Sequence, residues 1–337
     1  KRYYPNGSLA SHLIGFTGVD DQGLVCGVEV ALDKELSGEP GRVLTVLDAR
    51  GNEIPGEDIV RIEPKQGLNA TLTIDTTIQG IVEEALRNAV VDFGVKEGGA
   101  CIVMNPSNGD VLAMASNPDF DLNNPRECPE NIDDYLWEPK SEEASNILSS
   151  FVWRNNALSD TYEPGSTFKA ITACVAIEEG VVTPETVFSD APLSLSGWTI
   201  HCWRRVGHGS ESFAMAVAHS CNPIMARVAL QVGVEKFYGY IKSFGFTEKT
   251  NIMLSGEAVG VIHTSPTDID LAVAAFGQRF TITPIQLASA YCAIANGGIL
   301  YEPRIVKELT DNEGNVVKKY ENKEVRRVIS ESTSKTI

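Results

Sequence analysis

The stretch Glu163-Pro164-Gly165-Ser166-Thr167-Phe168-Lys169 decides the fold, because it opens the helical pattern of residues 168–177. Proline and glycine directly before an apolar helical run predict that Ser166 lies at or near a helix N-terminus. Free backbone N–H groups and the helix dipole favour developing negative charge at that position. Lys169 follows Ser166 by three residues, so we expect both side chains on one face of the helix.

Ser166 and Lys169 are a candidate nucleophile and base. A serine hydroxyl needs a base within hydrogen-bond reach to attack a carbonyl. Lysine can be that base where burial and nearby positive potential lower its pKa. The spacing alone is weak evidence, since Ser332-Thr333-Ser334-Lys335 repeats it without a Pro-Gly lead-in. We interpret that second copy as chance.

A second element, Ser220-Cys221-Asn222, follows an apolar helical stretch and precedes Pro223. Penicillin-binding proteins and serine β-lactamases carry a Ser-x-x-Lys box, then a Ser-x-Asn box, then a Lys-Thr-Gly box. The first two boxes occur here in that order, at Ser166 and at Ser220.

The sequence resembles the class B penicillin-binding proteins over nearly all of its length. It is most similar to the monofunctional sporulation and division transpeptidases of Gram-positive bacteria, the stage V sporulation D type. Outside the two boxes, the resemblance rests on Arg2-Tyr3-Tyr4-Pro5, Gly15-Phe16-Thr17-Gly18, Leu72-Thr73-Ile74-Asp75, Ile78-Gln79, Ala100–Met114, Asn156–Asp160, Thr283–Leu287 and Ala295–Gly298.

This resemblance implies a peptidoglycan D,D-transpeptidase. Ser166 would attack the penultimate D-Ala carbonyl of a stem peptide, and the acyl group would pass to an amine on a neighbouring strand. Lys169 would take the Ser166 proton, and Ser220 would relay a proton to the leaving amine. Asn222 would hold the substrate amide or position Lys169. β-Lactams would acylate Ser166 as mimics of D-Ala-D-Ala, and catalysis would need no cofactor.

The resemblance also implies a location and a partner. We expect an extracytoplasmic protein held at the cell membrane by an anchor that lies outside this sequence, working with a membrane glycosyltransferase. The sequence begins Lys1-Arg2-Tyr3-Tyr4-Pro5, without Met, and we expect an upstream anchor or leader to have been removed. The net charge of −17 argues against nucleic-acid binding, which needs clustered Lys and Arg.

The third box of the family is missing. Lys335-Thr336-Ile337 differs from Lys-Thr-Gly, and its context fits a helix better than a strand. In the family, that strand supplies an oxyanion-hole N–H and carboxylate-binding groups, and loss of one oxyanion donor costs ~10²–10³ in rate. We expect the sequence to stop before this strand, with the last strands and helix lying beyond it. Full activity is therefore not expected from these 337 residues alone.

The predicted fold class is α+β, an α/β sandwich in which helices flank a central antiparallel sheet. We assign residues 1–68 to the end of a pedestal region and 69–337 to the transpeptidase domain. A strand at Ala70–Ile74, a capping box formed by Thr76 and Gln79, and a hairpin around Asn108-Gly109 open that domain. Further helices are predicted at 213–218, 224–232 and 285–295. Residues 117–150 are predicted to form a long loop, residues 183–212 an irregular segment, and Gly51-Asn52 a turn.

Cys202, His208 and Cys221 form a candidate zinc site beside the second box. Zinc favours thiolate and imidazole ligands in tetrahedral sites, and Asp190, or less favourably His201, would be the fourth ligand. A subset of the family resembles this Cys-His-Cys arrangement. The zinc would be structural and would pin the 202–208 loop to the Ser220 box. The alternative is a buried cysteine pair and a loop histidine.

The remaining candidate residues are interpreted as packing residues. An odd total of seven cysteines without a CxxC pair argues against a disulfide framework. His219 would pack or face solvent, and Trp153 and Trp203 would be buried aromatic core.

Two other functions remain open at this point. One is a β-lactam sensor or β-lactamase, against which the pedestal-like N-terminal region argues. The other is a non-catalytic scaffold of a wall-building complex, which the missing third box keeps open. Covalent labelling by penicillin, and the rate at which the label is released, would distinguish the three.

Overall fold

The computed structural model describes residues 2–18, 22–44, 60–129 and 137–337. Its α-helices are α1 (Ser11–Ile14), α2 (Gly27–Ala31), α3 (Asp33–Leu36), α4 (Thr76–Asp92), α5 (Glu142–Ile147), α6 (Asn156–Ser159), α7 (Lys169–Glu178), α8 (Phe213–Ala218), α9 (Asn222–Val232), α10 (Val234–Ser243), α11 (Asp268–Ala274), α12 (Pro284–Ala295) and α13 (Glu331–Thr336). A 3₁₀ turn, Gly165–Phe168, leads directly into α7.

The β-strands are short and pair antiparallel. They are β1 (Phe16–Thr17), β2 (Gly23–Leu24), β3 (Arg42–Leu44), β4 (Val60–Ile62), β5 (Asn69–Leu72), β6 (Gly99–Met104), β7 (Val111–Asn117), β8 (Val187–Ser189), β9 (Leu193–Leu195), β10 (Trp198–Ile200), β11 (Ser210–Ser212), β12 (Ile299–Tyr301), β13 (Val306–Thr310), β14 (Val316–Lys319) and β15 (Glu324–Arg327).

Two antiparallel units follow the N-terminal segment and are linked to each other. β13 is the middle strand of a three-stranded sheet with the order β14–β13–β5. The predicted hairpin forms, with β6 and β7 paired from Gly99–Asn117 to Met104–Val111. Thr73 joins the two units, because its N–H donates to Ile305 O and its Oγ1 donates to Val111 O at 2.6 Å. Helices cover this antiparallel arrangement, which confirms the predicted α+β class.

Helix α7 lies at the centre of the helical core. Ile171, Ala173 and Cys174 are fully buried, and α7 packs against α9. A helix that is apolar on nearly all sides belongs inside a protein. The N-terminal end of α7, next to Ser166, is therefore held in place by the packing of this helix in the core.

The predicted capping box at the start of α4 was wrong. Asp75 is the N-cap, and its Oδ1 accepts from the N–H groups of Thr77 and Ile78 at 2.9 and 3.0 Å. Gln79 turns inward instead and bonds both the N–H and the carbonyl of Met114 on β7. Aspartate is as good an N-cap as threonine, so the helix began one residue earlier than the motif indicated.

The predicted loop at 117–150 contains a helix in its last part. Ser141 Oγ caps α5 by accepting from Ala144 N at 3.0 Å, and α5 continues as a π-helix, Leu148–Val152. The segment predicted to be irregular, 183–212, holds the four short strands β8–β11. The predicted Gly51-Asn52 turn lies outside the described residues.

The N-terminal segment packs directly on the region that follows it. Ala10 N donates to Glu83 Oε1 on α4 at 2.7 Å, and Leu13 of α1 shares a buried cluster with Met114 of β7. None of the described helices is long and apolar enough to cross a membrane.

Candidate active site

The Ser166 turn is held by a glycine-dependent contact. Gly165 has φ of 58°, and its N–H donates to Gly277 O at 2.8 Å. Gly277 has φ of 77°, and a Cβ at that position would overlap the backbone of Gly165. Arg279 N donates to Glu163 Oε1 at 2.8 Å and ties the same two segments together. Gly277 could not be recognised from its position in the sequence, because only folding brings residue 277 against residue 165.

Ser166 lies where the sequence predicted, at the N-terminal end of the buried helix, and it is exposed. The next residue is held from the other side, since Tyr291 on α12 donates from its hydroxyl to Thr167 O at 2.7 Å. An exposed hydroxyl on a backbone fixed by packing is the arrangement that a preorganised nucleophile needs.

Lys169 is buried against the second box, with only 3% of its surface exposed. Its Nζ donates to Ser220 O at 2.7 Å, to Ser220 Oγ at 2.7 Å and to Asn222 Oδ1 at 2.6 Å. Burial lowers the pKa of the Lys169 ammonium to about 8, against smaller opposing effects from Cys221 and Cys202. The side chain therefore loses its proton near pH 8, well below the pH at which an ordinary lysine does.

Ser220 connects the lysine to the nucleophile. Its Oγ accepts from Lys169 Nζ and donates to Ser166 Oγ at 3.0 Å. Within the described part of the chain, no hydrogen bond joins Lys169 directly to Ser166. Ser220 has φ of 56°, a left-handed conformation that costs a non-glycine residue ~1–2 kcal/mol. Strain of this kind is typical of functional positions.

The backbone before Ser220 is fixed by Trp203. The Trp203 indole Nε1 donates to His219 O at 2.8 Å. Trp203 is 67% exposed, so the prediction that it belongs to the buried core was wrong, whereas Trp153 is 3% exposed as predicted. Trp203 lies on the loop between β10 and β11 and meets α8 only in the folded chain. Its spacing in the sequence therefore carried no signal for this contact.

Three of the four predicted zinc ligands lie together. The ligand atoms of Asp190, Cys202 and His208 are all within 4.8 Å of one another. Cys202 Sγ is 3.5 Å and Asp190 Oδ2 is 3.8 Å from His208 Nδ1. The Asp190 carboxylate also accepts from the backbone N–H groups of His208 and Gly209, so it fixes this loop without any ion.

Cys221 lies outside that group of three but is fully buried beside Cys202. Burial raises the pKa of the Cys221 thiol to about 11. His201, the alternative fourth ligand, is exposed and lies outside the group. His219 packs as predicted, with its ring stacked on His208 at 4.4 Å.

Lys335 and Thr336 lie in helix α13, as the sequence context predicted, and not in a strand. The second Ser-x-x-Lys copy is in the same helix, where Ser332 and Lys335 are both exposed. Glu178, at the end of α7, accepts from Ser330 N at 3.0 Å and fixes the start of α13.

Comparisons with known proteins identify the family. The family model of the penicillin binding protein transpeptidase domain matches residues 99–337. The chain is 39% identical over 341 residues to stage V sporulation protein D of Bacillus subtilis strain 168, covering 100% of the chain and 50% of that protein. It is 33% identical over 306 residues to peptidoglycan D,D-transpeptidase FtsI of Escherichia coli strain K12, covering 90% of the chain and 47% of that protein.

Solved structures give the same result. Penicillin binding protein 3 of Mycobacterium tuberculosis complexed with ampicillin superposes with a TM-score of 0.82 at 27% identity, covering 100% of this chain and 67% of that one. The chain spans about half the length of the curated relatives it matches. From the family match and the arrangement of the Ser166 and Ser220 boxes, the chain belongs to the penicillin-binding protein transpeptidases, class B.

Proposed function

We propose that the protein is a serine-type peptidoglycan D,D-transpeptidase and a target of β-lactams. The observation that carries the proposal is the continuous hydrogen-bonded path from Lys169 through Ser220 to the exposed Ser166 hydroxyl. A nucleophile, a base and a group that orients the base are the parts that acyl transfer requires. Relatives named as D,D-transpeptidases support the same reaction.

The geometry supports the following sequence of steps. Neutral Lys169 accepts a proton from Ser220, which takes one from Ser166 as Ser166 Oγ bonds the penultimate D-Ala carbonyl carbon. The peptide bond to the terminal D-Ala breaks, and its amine receives the proton back through Ser220. The amine of a second stem peptide then attacks the ester, its proton returns to the network, and Ser166 is regenerated. Asn222 holds Lys169 in place throughout through the 2.6 Å bond.

The developing oxyanion needs N–H donors. Ser166 lies at the N-terminal end of α7, where the helix dipole supplies positive potential. We propose that a Lys-Thr-Gly strand, absent from this sequence, completes the oxyanion hole, so assays should use the full-length encoded protein.

The test is acyl transfer by the full-length protein on a stem-pentapeptide analogue. We expect release of the terminal D-Ala together with transfer of the acyl group to an added amine, and a penicillin label that persists for many turnovers of substrate. Rapid hydrolytic release of the label, without acyl transfer, would favour a β-lactamase, and a persistent label without acyl transfer would favour a sensor. A folded protein that takes no label would favour the scaffold.

The domain boundary, location and partner are part of the same proposal. We propose that residues 1–68 end a pedestal region and that 69–337 form the transpeptidase domain. The family match covers residues 99–337, within the proposed domain. The relatives' wall-building names support a site of action outside the cytoplasm. A membrane anchor, a role in sporulation or division, and a membrane glycosyltransferase partner stay predictions from the family resemblance.

We also propose a structural zinc ion held by Asp190, Cys202, His208 and Cys221. The supporting observation is that a carboxylate, a thiol and an imidazole converge within 4.8 Å, with a second thiol buried next to the first. Such a mixed thiolate and imidazole set fits zinc. The ion would hold the 202–208 loop against the Ser220 box and would take no part in the chemistry.

Replacing zinc with cobalt makes thiolate coordination visible in the ultraviolet absorption spectrum. We expect the full-length protein to bind Co²⁺ with the intense ultraviolet bands of thiolate-to-metal charge transfer, and we expect Cys202→Ser to remove most of that intensity. Cys292 is partly buried like Cys202 but lies outside the group of converging ligand atoms, so Cys292→Ser is the matched control and should keep the bands. Cobalt binding without thiolate bands in the parent protein would contradict the proposal.

A further inference from the structure

His208 also belongs to a second group of metal-ligating side chains, whose other two members, Glu211 and His219, the zinc proposal does not use. The ligand atoms of His208, Glu211 and His219 are all within 4.8 Å of one another. His219 lies directly before Ser220 in the chain, so this group adjoins the candidate catalytic network.

The buried carboxylate of Glu211 also points to a bound cation, independently of how closely the three side chains lie. Its side chain is only 7% exposed, and its Oε1 is buried without a hydrogen-bond partner. Its other oxygen, Oε2, lies 2.6 Å from His219 Nδ1. A buried carboxylate oxygen without a partner is costly, because it loses its hydration and gains nothing in exchange. A bound cation would supply the missing partner.

The local fold fixes the geometry of this group. Glu211 lies on β11, which runs directly into α8 through the N-cap Ser212, and His219 is the C-cap of the same helix. The His208 ring stacks on the His219 ring with an interplanar angle of 9°. Glu211 and His219 therefore come from one strand–helix unit, β11 and α8, and His208 comes from the loop that precedes it.

The donor set is chemically distinct from the thiol-containing one. Two imidazoles and one carboxylate are a set that divalent zinc, cobalt and nickel accept, whereas thiolates select softer ions. We propose that His208, Glu211 and His219 form a second divalent-cation site directly before Ser220. The two sites share His208, so an ion at one site affects the other. The proposal concerns binding in the unreacted protein and does not depend on the transpeptidase function.

The test isolates the second site by removing the thiols of the first. In the full-length Cys202→Ser/Cys221→Ser protein, we expect about one equivalent of Co²⁺ to bind without thiolate charge-transfer bands. Adding Glu211→Gln or His219→Gln should weaken that binding by roughly tenfold or more, because even outer-shell ligand changes cost this much. Glu185→Gln, which changes an exposed glutamate outside both groups, is the matched control and should leave cobalt affinity unchanged.

Two results would overturn the second site. One is a folded double-serine protein that binds no cobalt. The other is cobalt binding whose affinity is the same with and without Glu211→Gln and His219→Gln, which would leave Glu211 and His219 as an ion pair only. If circular dichroism shows that the double-serine protein does not fold, Cys202→Ser alone replaces it, since Cys202 is only partly buried. The same glutamine substitutions then decide the question.

Discussion

Ser166→Ala is expected to abolish covalent labelling of the full-length protein by a fluorescent penicillin. In the proposed mechanism the label is an ester of the Ser166 hydroxyl. Among the described residues, Ser166 is the exposed hydroxyl at the N-terminal end of α7 that is bonded to Ser220. Removing the nucleophile of a serine enzyme lowers its rate by roughly a million-fold. Labelling should therefore fall below detection on a gel, and acyl transfer to an amine should disappear with it.

The chain contains its own matched control. Ser332→Ala changes the serine of the second Ser-x-x-Lys copy, which is exposed on α13 and whose hydroxyl pairs with the hydroxyl of Ser330 at 2.9 Å. We expect this protein to label like the parent. Labelling that survives Ser166→Ala and is lost in Ser332→Ala would reverse the assignment. A thermal melt of both proteins verifies that a lost label reflects chemistry and not unfolding.

Local sequence pattern was sufficient where neighbouring residues fix the structure. The Pro-Gly lead-in and the apolar run after Ser166 predicted the position of α7, and Asn108-Gly109 predicted the β6–β7 hairpin. The capping-box pattern predicted the start of α4 one residue too late, because Asp75 and Thr76 are adjacent and both residue types are good N-caps. Only the backbone geometry at Asp75 decides between them.

Contacts between distant segments could not be read from the sequence. Gly277 fits against Gly165 because a Cβ at position 277 would overlap the Gly165 backbone, yet a lone glycine before a polar stretch is typical of an ordinary turn. Trp203 was predicted to be a buried core residue, but its indole N–H donates to the carbonyl of His219 and its ring stays exposed. The bridging position of Ser220 between Lys169 and Ser166 likewise depends on how α7 and α9 pack.

Lys169→Met is expected to lower the rate of penicillin acylation by ~10²–10⁴, the usual contribution of a positioned general base. Methionine keeps much of the length and the apolar stem of lysine, so the packing around this buried position is retained. Ser220 and Asn222 lose the amine that bonds both of them. The measurement is the second-order acylation rate at fixed pH. Lys335→Met, the exposed lysine of the second copy, should leave that rate unchanged.

The pH profile tests whether Lys169 acts as a base or only as a cation. With the pKa of Lys169 lowered to about 8, its neutral form is scarce below that pH. Acylation by the parent protein should therefore rise about tenfold per pH unit up to pH ~8 and then level off, because the neutral fraction does. A lysine acting as a cation would give the opposite slope, with acylation falling above pH 8.

Lys169→Arg distinguishes the same two roles without changing pH. Arginine keeps a positive charge at every accessible pH and cannot release its proton. If Lys169 must become neutral to take the Ser166 proton through Ser220, the arginine protein should be as slow as Lys169→Met, and its acylation rate should lose the rise toward pH 8. Recovery of the parent rate by arginine would show that the charge alone suffices. The network would then orient Ser166 without accepting its proton.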